Sequence, residues 1–148
     1  SMQLTHHSDF SLRLLLYLMA RDDDDVVSVS VIARAYGISS NHLSKVAAEL
    51  TRLGWLESVR GRGGGIKLEG VARGLSVGDV VRETEHNMAL VECMGDGNTC
   101  PIAPVCKLKG VFVEAREAFL EVLDAYLLED MIVEPDKLRS LLSMSSAS

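Results

Sequence analysis

Cysteine is nearly absent from this 148-residue chain, and what there is lies in one place. Cys93, Cys100 and Cys106 are the only three, all inside the run CMGDGNTCPIAPVC. An odd count argues against a closed disulfide framework. Tight C-x2-C pairs, which set the bite of a tetrahedral zinc site, are also missing. No apolar run is long enough to cross a bilayer; the longest, Leu14 to Ala20, is far too short. No charged-then-apolar leader opens the sequence, so the expectation is a cytoplasmic protein without a membrane partner. Internal repeats are lacking. No nucleophile–base pair or paired carboxylates form a recognisable constellation, so an enzyme is not expected. A global excess of positive charge is lacking too: the net charge is −6.

The distribution of that charge is uneven. Between Arg34 and Arg82 there are eight Lys and Arg against four Asp and Glu. The acidic excess falls elsewhere, in Asp22 to Asp25, read as a solvated turn, and in the C-terminal third. A local positive face is what phosphate binding needs, whatever the sign of the whole.

Periodicity supplies the elements. Ser8 is placed to cap a first helix, FSLRLLLYLMA, whose lack of a polar face predicts burial. Ser28 caps a short helix that Gly37 ends. Ser39 caps a third helix, from about Ser40 to Leu53, with Leu43, Val46, Ala47, Leu50 and Leu53 on one face. Gly54 is its stop. Two helices joined by a tight turn make a helix-turn-helix. The run WLESVRGRGGGIKLEG then reads as a hairpin starting at Trp55, with its turn over Arg60 to Gly65. A hairpin directly after the second helix is a wing. Ser76 caps a further helix, and a long one starts near Leu108. Its apolar positions Leu108, Phe112, Ala115, Phe119, Val122 and Tyr126 step by 4, 3, 4, 3, 4, a heptad seam over roughly 30 Å.

The expected fold is therefore mainly α with a small β-hairpin wing: a winged helix-turn-helix domain (2–86), a cysteine loop (87–107), a long C-terminal dimerisation helix with a following segment (108–142), and a disordered tail (143–148). The small N-terminal domain cannot cover so long an apolar seam, which points to a homodimer.

Two surfaces carry chemistry. Residues at the start of the second helix of a helix-turn-helix meet base edges in the major groove of double-stranded DNA. Here they are Ser39, Ser40, Asn41, His42, Ser44 and Lys45. Asn41 can pair with adenine, His42 can donate to guanine, and Lys45 can reach phosphate or guanine. In the wing, Arg60 and Arg62 can clamp phosphate or enter a narrow groove, while Gly63, Gly64 and Gly65 allow close backbone approach. The thiols are the second surface. Spacings of six and five intervening residues suit an iron–sulfur cluster better than zinc. Three thiolates leave one ligand missing. Asp9, His6, His7, His86, Glu92 and Asp96 are the candidates, and an iron with a weakly matched ligand is where a diatomic gas attacks first.

Together these motifs resemble the iron–sulfur winged-helix transcription repressors of the NsrR/IscR-like family. The carrying segments are LTHHSDFSLRLLLYL, GISSNHLSKVAAELTRLGWLESVRGRGGGIKL, VGDVVRETE, CMGDGNTCPIAPVCKLK and AFLEVLDAYLLEDMI, spanning Leu4 to about Val133. The runs NHLSKV, VVRETE and LDAYLLEDMI are most similar to the nitric-oxide-sensing branch. The resemblance implies a 4Fe-4S cluster on Cys93, Cys100 and Cys106, with Asp9 of the partner subunit as fourth ligand. A histidine three residues after the last cysteine marks the cluster-biogenesis branch; Lys109 stands there instead. The gap between Cys93 and Cys100 is slightly wider than this family usually has, which keeps a 2Fe-2S cluster and redox or iron-availability sensing as the alternative. The implied mechanism is a dimer on a palindromic operator. Nitric oxide damages the cluster, the loop relaxes, the helix carrying Val77 to Glu85 shifts, and the wings lose register.

Overall fold

The computed structural model describes residues 2–144. The first helix, α1 (His6–Ala20), is followed by α2 (Val29–Tyr36) and α3 (Ser40–Arg52). Ser28 and Ser39 cap these last two by accepting from the Val31 and His42 amides. Between them Gly37 takes the left-handed conformation, φ 69°, and Ile38 packs on the core. This is the expected helix-turn-helix.

Strands β1 (Leu56–Val59) and β2 (Gly65–Leu68) pair antiparallel, with Leu56 opposite Leu68 and Val59 opposite Gly65. Trp55 lies just before the hairpin rather than in it, buried against the core. Val27 adds a two-bond bridge to Ile66, its amide and carbonyl both paired at 2.8–2.9 Å. That bridge explains a glycine: a Cβ at Gly65 would sit 2.4 Å from the Val27 carbonyl oxygen.

The core is where α1, α3 and the wing meet. Leu14, Leu15, Ile32, Leu43, Val46, Leu50 and Val80 have no exposed surface. Each buried side chain of this size contributes about 1.5–3 kcal/mol. Helix α4 (Val77–Thr84) packs on α1 and begins with a complete capping box between Ser76 and Asp79. Helix α5 (Leu108–Asp124) runs 17 residues, about 25 Å, and buries Leu120 alone. Its C-terminal end is clipped to α4. The Val77 amide donates to the Tyr126 carbonyl at 2.8 Å, and Leu128 to Leu75 at 2.9 Å. Gly78 makes room for this approach, since a Cβ there would lie 2.8 Å from the Asp124 amide nitrogen.

Four expectations change. The cap of α1 is Thr5, three residues earlier than Ser8; Ser8 is instead fully buried inside the first turns. The acidic run is not merely solvated, because Asp22 pairs with Arg139 at 2.9 Å and Asp23 with Arg21 at 2.7 Å. Helix α6 (Pro135–Leu141) has no counterpart in the sequence reading beyond a C-terminal segment. It docks Leu138 and Leu142 onto the core, and Arg139 donates to the Ala20 carbonyl at the end of α1. Of the tail expected to be disordered, Met144 packs against the core, and 145–148 lie outside the described residues. No helix among the described residues is long and apolar enough to cross a membrane.

Candidate nucleic-acid interface and metal centre

Helix α3 presents Ser39, Ser40, Asn41, Ser44 and Lys45 to solvent while Leu43, Val46, Ala47 and Leu50 face inward. Ser39 is occupied as the cap, its hydroxyl 3.2 Å from the His42 amide. His42 is turned partly inward. Its ring meets Phe10 edge-on at a centroid distance of 4.7 Å, which ties the first turn of α3 to α1. The wing extends Arg60 and Arg62 into solvent, and neither has an ion pair among the described residues. Of the wing glycines, Gly63 is exposed, whereas Gly64 and Gly65 are required by the fold itself. A Cβ at Gly64 would lie 2.2 Å from the Val59 carbonyl oxygen. Gly64 and Gly65 thus close the hairpin and seat it on Val27, while Arg60, Arg62 and Gly63 stay open to solvent.

The cysteine segment joins α4 to α5. It holds one short 3-10 turn, Glu92–Met94, and is otherwise irregular. All three thiols are free and partly exposed. Cys106 sits just before α5 and accepts from the Leu108 amide, N···Sγ 3.4 Å. Glu92 accepts from both the Thr99 amide and hydroxyl, at 3.3 and 2.9 Å, which folds the loop back on itself. Three soft, partly exposed donors in one irregular segment fit an iron–sulfur cluster by their chemistry.

Asp9 lies one turn into α1. Arg13 holds it through two parallel bonds of 3.0 Å, and its side chain is 43 % exposed. The Arg13 guanidinium also lies over the Phe10 ring, 5.6 Å from its centroid.

Two features escaped the sequence reading. The first is a buried polar cluster around Glu85. Its carboxylate accepts from the Thr5 amide and hydroxyl and from the Ser8 hydroxyl, and Thr84 donates to Ser8 at 2.8 Å. A carboxylate at the start of α1 also answers the helix dipole. The second is a group of three: His7 of α1, Glu49 of α3 and His86 just after α4. One ligand atom from each lies within 4.8 Å of the others. The Nε2 of His7 is buried and has no hydrogen-bond partner among the described residues. An unpartnered buried polar atom costs about 1–3 kcal/mol. Burial holds the His7 imidazole below its ordinary pKa, the Glu49 carboxylate partly opposing this. His7 and His86 stood among the expected fourth ligands; Glu49 gave no signal, because its partners are far away in sequence.

A helix-turn-helix followed by a glycine-closed wing, with an unpartnered basic tip, defines a winged-helix transcription regulator. The chain belongs to the Rrf2 family, described as iron-dependent transcriptional regulators, whose model matches residues 4–134. It is 48% identical over 144 residues to the HTH-type transcriptional regulator NsrR of Halalkalibacterium halodurans, covering 97% of this chain and 99% of that one. It is 49% identical over 142 residues to the NsrR of Geobacillus kaustophilus, covering 95% and 97%. Among solved structures, a transcriptional regulator from Listeria innocua superposes with a TM-score of 0.71 at 28% identity, covering 90% of this chain and 88% of that one. The expected family and the expected winged-helix fold both hold, and the chain is a transcriptional regulator rather than an enzyme.

Proposed function

We propose that this chain is a homodimeric repressor whose iron–sulfur cluster senses nitric oxide. The observation that carries the proposal is the gathering of every thiol in the one segment that joins α4 to α5. The name shared by relatives at 44–49% identity supports it. Cys93, Cys100 and Cys106 would hold the cluster, 4Fe-4S favoured, with Asp9 of the partner subunit as fourth ligand. When bound, the cluster supplies irons that react with nitric oxide.

The protein's own residues then link loop to DNA. Ligation fixes the loop between α4 and α5. Arg82 and Asp124 bind those helices together at 2.7 Å, and each holds the other in its charged form. Because α4 packs on α1, and α1 on α3, a loop that loses its ligands changes the footing of the recognition helix. In the dimer, Asn41, Ser44, Lys45, Arg60 and Arg62 of both copies meet a palindromic operator in successive major grooves and their flanks. The exposed seam of Leu108, Ala115, Phe119, Val122 and Tyr126 pairs the two copies.

Iron and acid-labile sulfide, counted on protein purified without oxygen, test the ligand set. About four irons per chain support the 4Fe-4S reading. The family's description as iron-dependent favours a second reading, an iron-availability or redox sensor, and about two irons per chain with a spectrum indifferent to nitric oxide would select it. Loss of the cluster in Cys100→Ser, and a changed spectrum in Asp9→Asn, are expected in the first case.

A further inference from the structure

We propose that His7, Glu49 and His86 form a second metal site, separate from the thiols, which takes a single divalent first-row transition ion. Three observations carry it. The ligand atoms are already close: His86 Nε2 lies 3.7 Å from Glu49 Oε1, and all three fall within 4.8 Å of one another. The two imidazole rings face each other at 5.7 Å with 32° between their planes, and do not hydrogen-bond to one another. The buried Nε2 of His7 has no partner among the described residues, so an ion there would satisfy an atom the fold leaves alone.

The donor set limits the ion. Two neutral imidazoles and one carboxylate suit Zn²⁺, Fe²⁺ or Co²⁺ and leave coordination positions open for water. Calcium and magnesium prefer oxygen alone. Glu49 also takes a bond from Arg52 at 3.2 Å, but the Arg52 side chain is 67% exposed and can leave without unpacking anything.

The position gives the site its consequence. His7 is in the first turn of α1, Glu49 is on the recognition helix, and His86 is the residue after Glu85, where the cysteine segment begins. An ion held by all three would bond the recognition helix to the root of the cysteine loop. Operator binding would then respond to a divalent metal as well as to the state of the thiols. This inference stands whether or not the loop holds a cluster.

The test uses the full chain with Cys93, Cys100 and Cys106 all changed to Ser, so that no thiol competes, and Zn²⁺ as the probe. Equilibrium dialysis should give one bound Zn²⁺, and the thermal midpoint should rise with Zn²⁺. Adding His86→Gln removes a direct ligand, so it should weaken Zn²⁺ binding by more than the roughly 100-fold that losing an outer-shell partner can cost, and abolish that rise. His86 is exposed, so the metal-free midpoint should not move. Equal Zn²⁺ binding with and without His86→Gln, or none in either chain, would overturn the site. If the triple-serine chain does not fold, the thiols of the unchanged chain are alkylated with iodoacetamide and the same Zn²⁺ dialysis is run with and without His86→Gln. Weaker Zn²⁺ binding in His86→Gln supports the site; equal binding in both, or none in either, would overturn it.

Discussion

The Thr5 amide donates to both carboxylate oxygens of Glu85, at 3.2 Å each, across 80 residues of sequence. That contact fixes where α1 starts and binds its first turn to the last residue before the cysteine segment. Glu85 is 8% exposed and also accepts from the Thr5 and Ser8 hydroxyls. Glu85→Ala leaves these donors buried and unpaired. We expect a loss of about 2–3 kcal/mol in urea unfolding, with Glu85→Gln losing less. An unchanged unfolding midpoint in Glu85→Ala would show that the cluster carries no stability.

The wing separates structure from recognition within a few residues. Gly65→Ala forces a Cβ against the Val27 carbonyl and should lower stability by at least ~1 kcal/mol. Arg62→Ala should leave the unfolding midpoint where it is and weaken operator binding instead. If Arg62 meets a phosphate, the salt slope of binding drops by about one for its loss. Denaturation and salt-dependent DNA titrations of the two variants should give opposite patterns; the same pattern in both would refute the assignment.

The proposed dimer rests on the exposed face of α5. Phe119 and Val122 are 45% and 60% exposed in the single chain, against the coiled-coil spacing of their neighbours. Val122→Asp places a charge in the seam. Sedimentation should show a dimer for the natural chain and a monomer for this variant, while the helical content stays the same. A dimer in both would place the pairing elsewhere, and a monomer in both would refute the dimer.

Tyr36 gives a signal at alkaline pH. Its hydroxyl donates to the Arg13 carbonyl at 2.7 Å, and burial pushes its pKa up to about 12 from 10. The folded state therefore prefers the neutral phenol. Its stabilising share is complete below pH 10 and is lost as pH rises toward 12. Absorbance titration should show one tyrosine ionising late, and Tyr36→Phe should remove that component and flatten the alkaline loss of stability. A titration unchanged by Tyr36→Phe would contradict the burial.

Most of the fold was legible because its signals are local. Ser28, Ser39 and Ser76 each sit directly before an apolar repeat, and each caps the helix it precedes. Gly54 and the start of α5 at Leu108 were readable for the same reason. Thr5 and Ser8 are the opposite case. Either could cap α1, and the choice is made by Glu85, which no local pattern connects to them. The Gly64–Gly65 pair looked like a feature for groove approach, yet Val59 and Val27 decide it through backbone contacts. Helix α6 is short, and it holds its place through Leu138, Leu142 and Arg139 against α1. The cysteines announced themselves by clustering. His7, Glu49 and His86 are spread across the chain and meet only because α1, α3 and α4 pack together.

In the proposed mechanism the state of the cysteine loop controls DNA binding. A single titration of oxygen-free protein with nitric oxide tests it, with the visible spectrum and operator occupancy read on the same sample. The cluster absorbance should bleach and the operator should be released together, over the same range of added nitric oxide. Bleaching with the operator still fully bound, or a spectrum that does not respond at all, would contradict it.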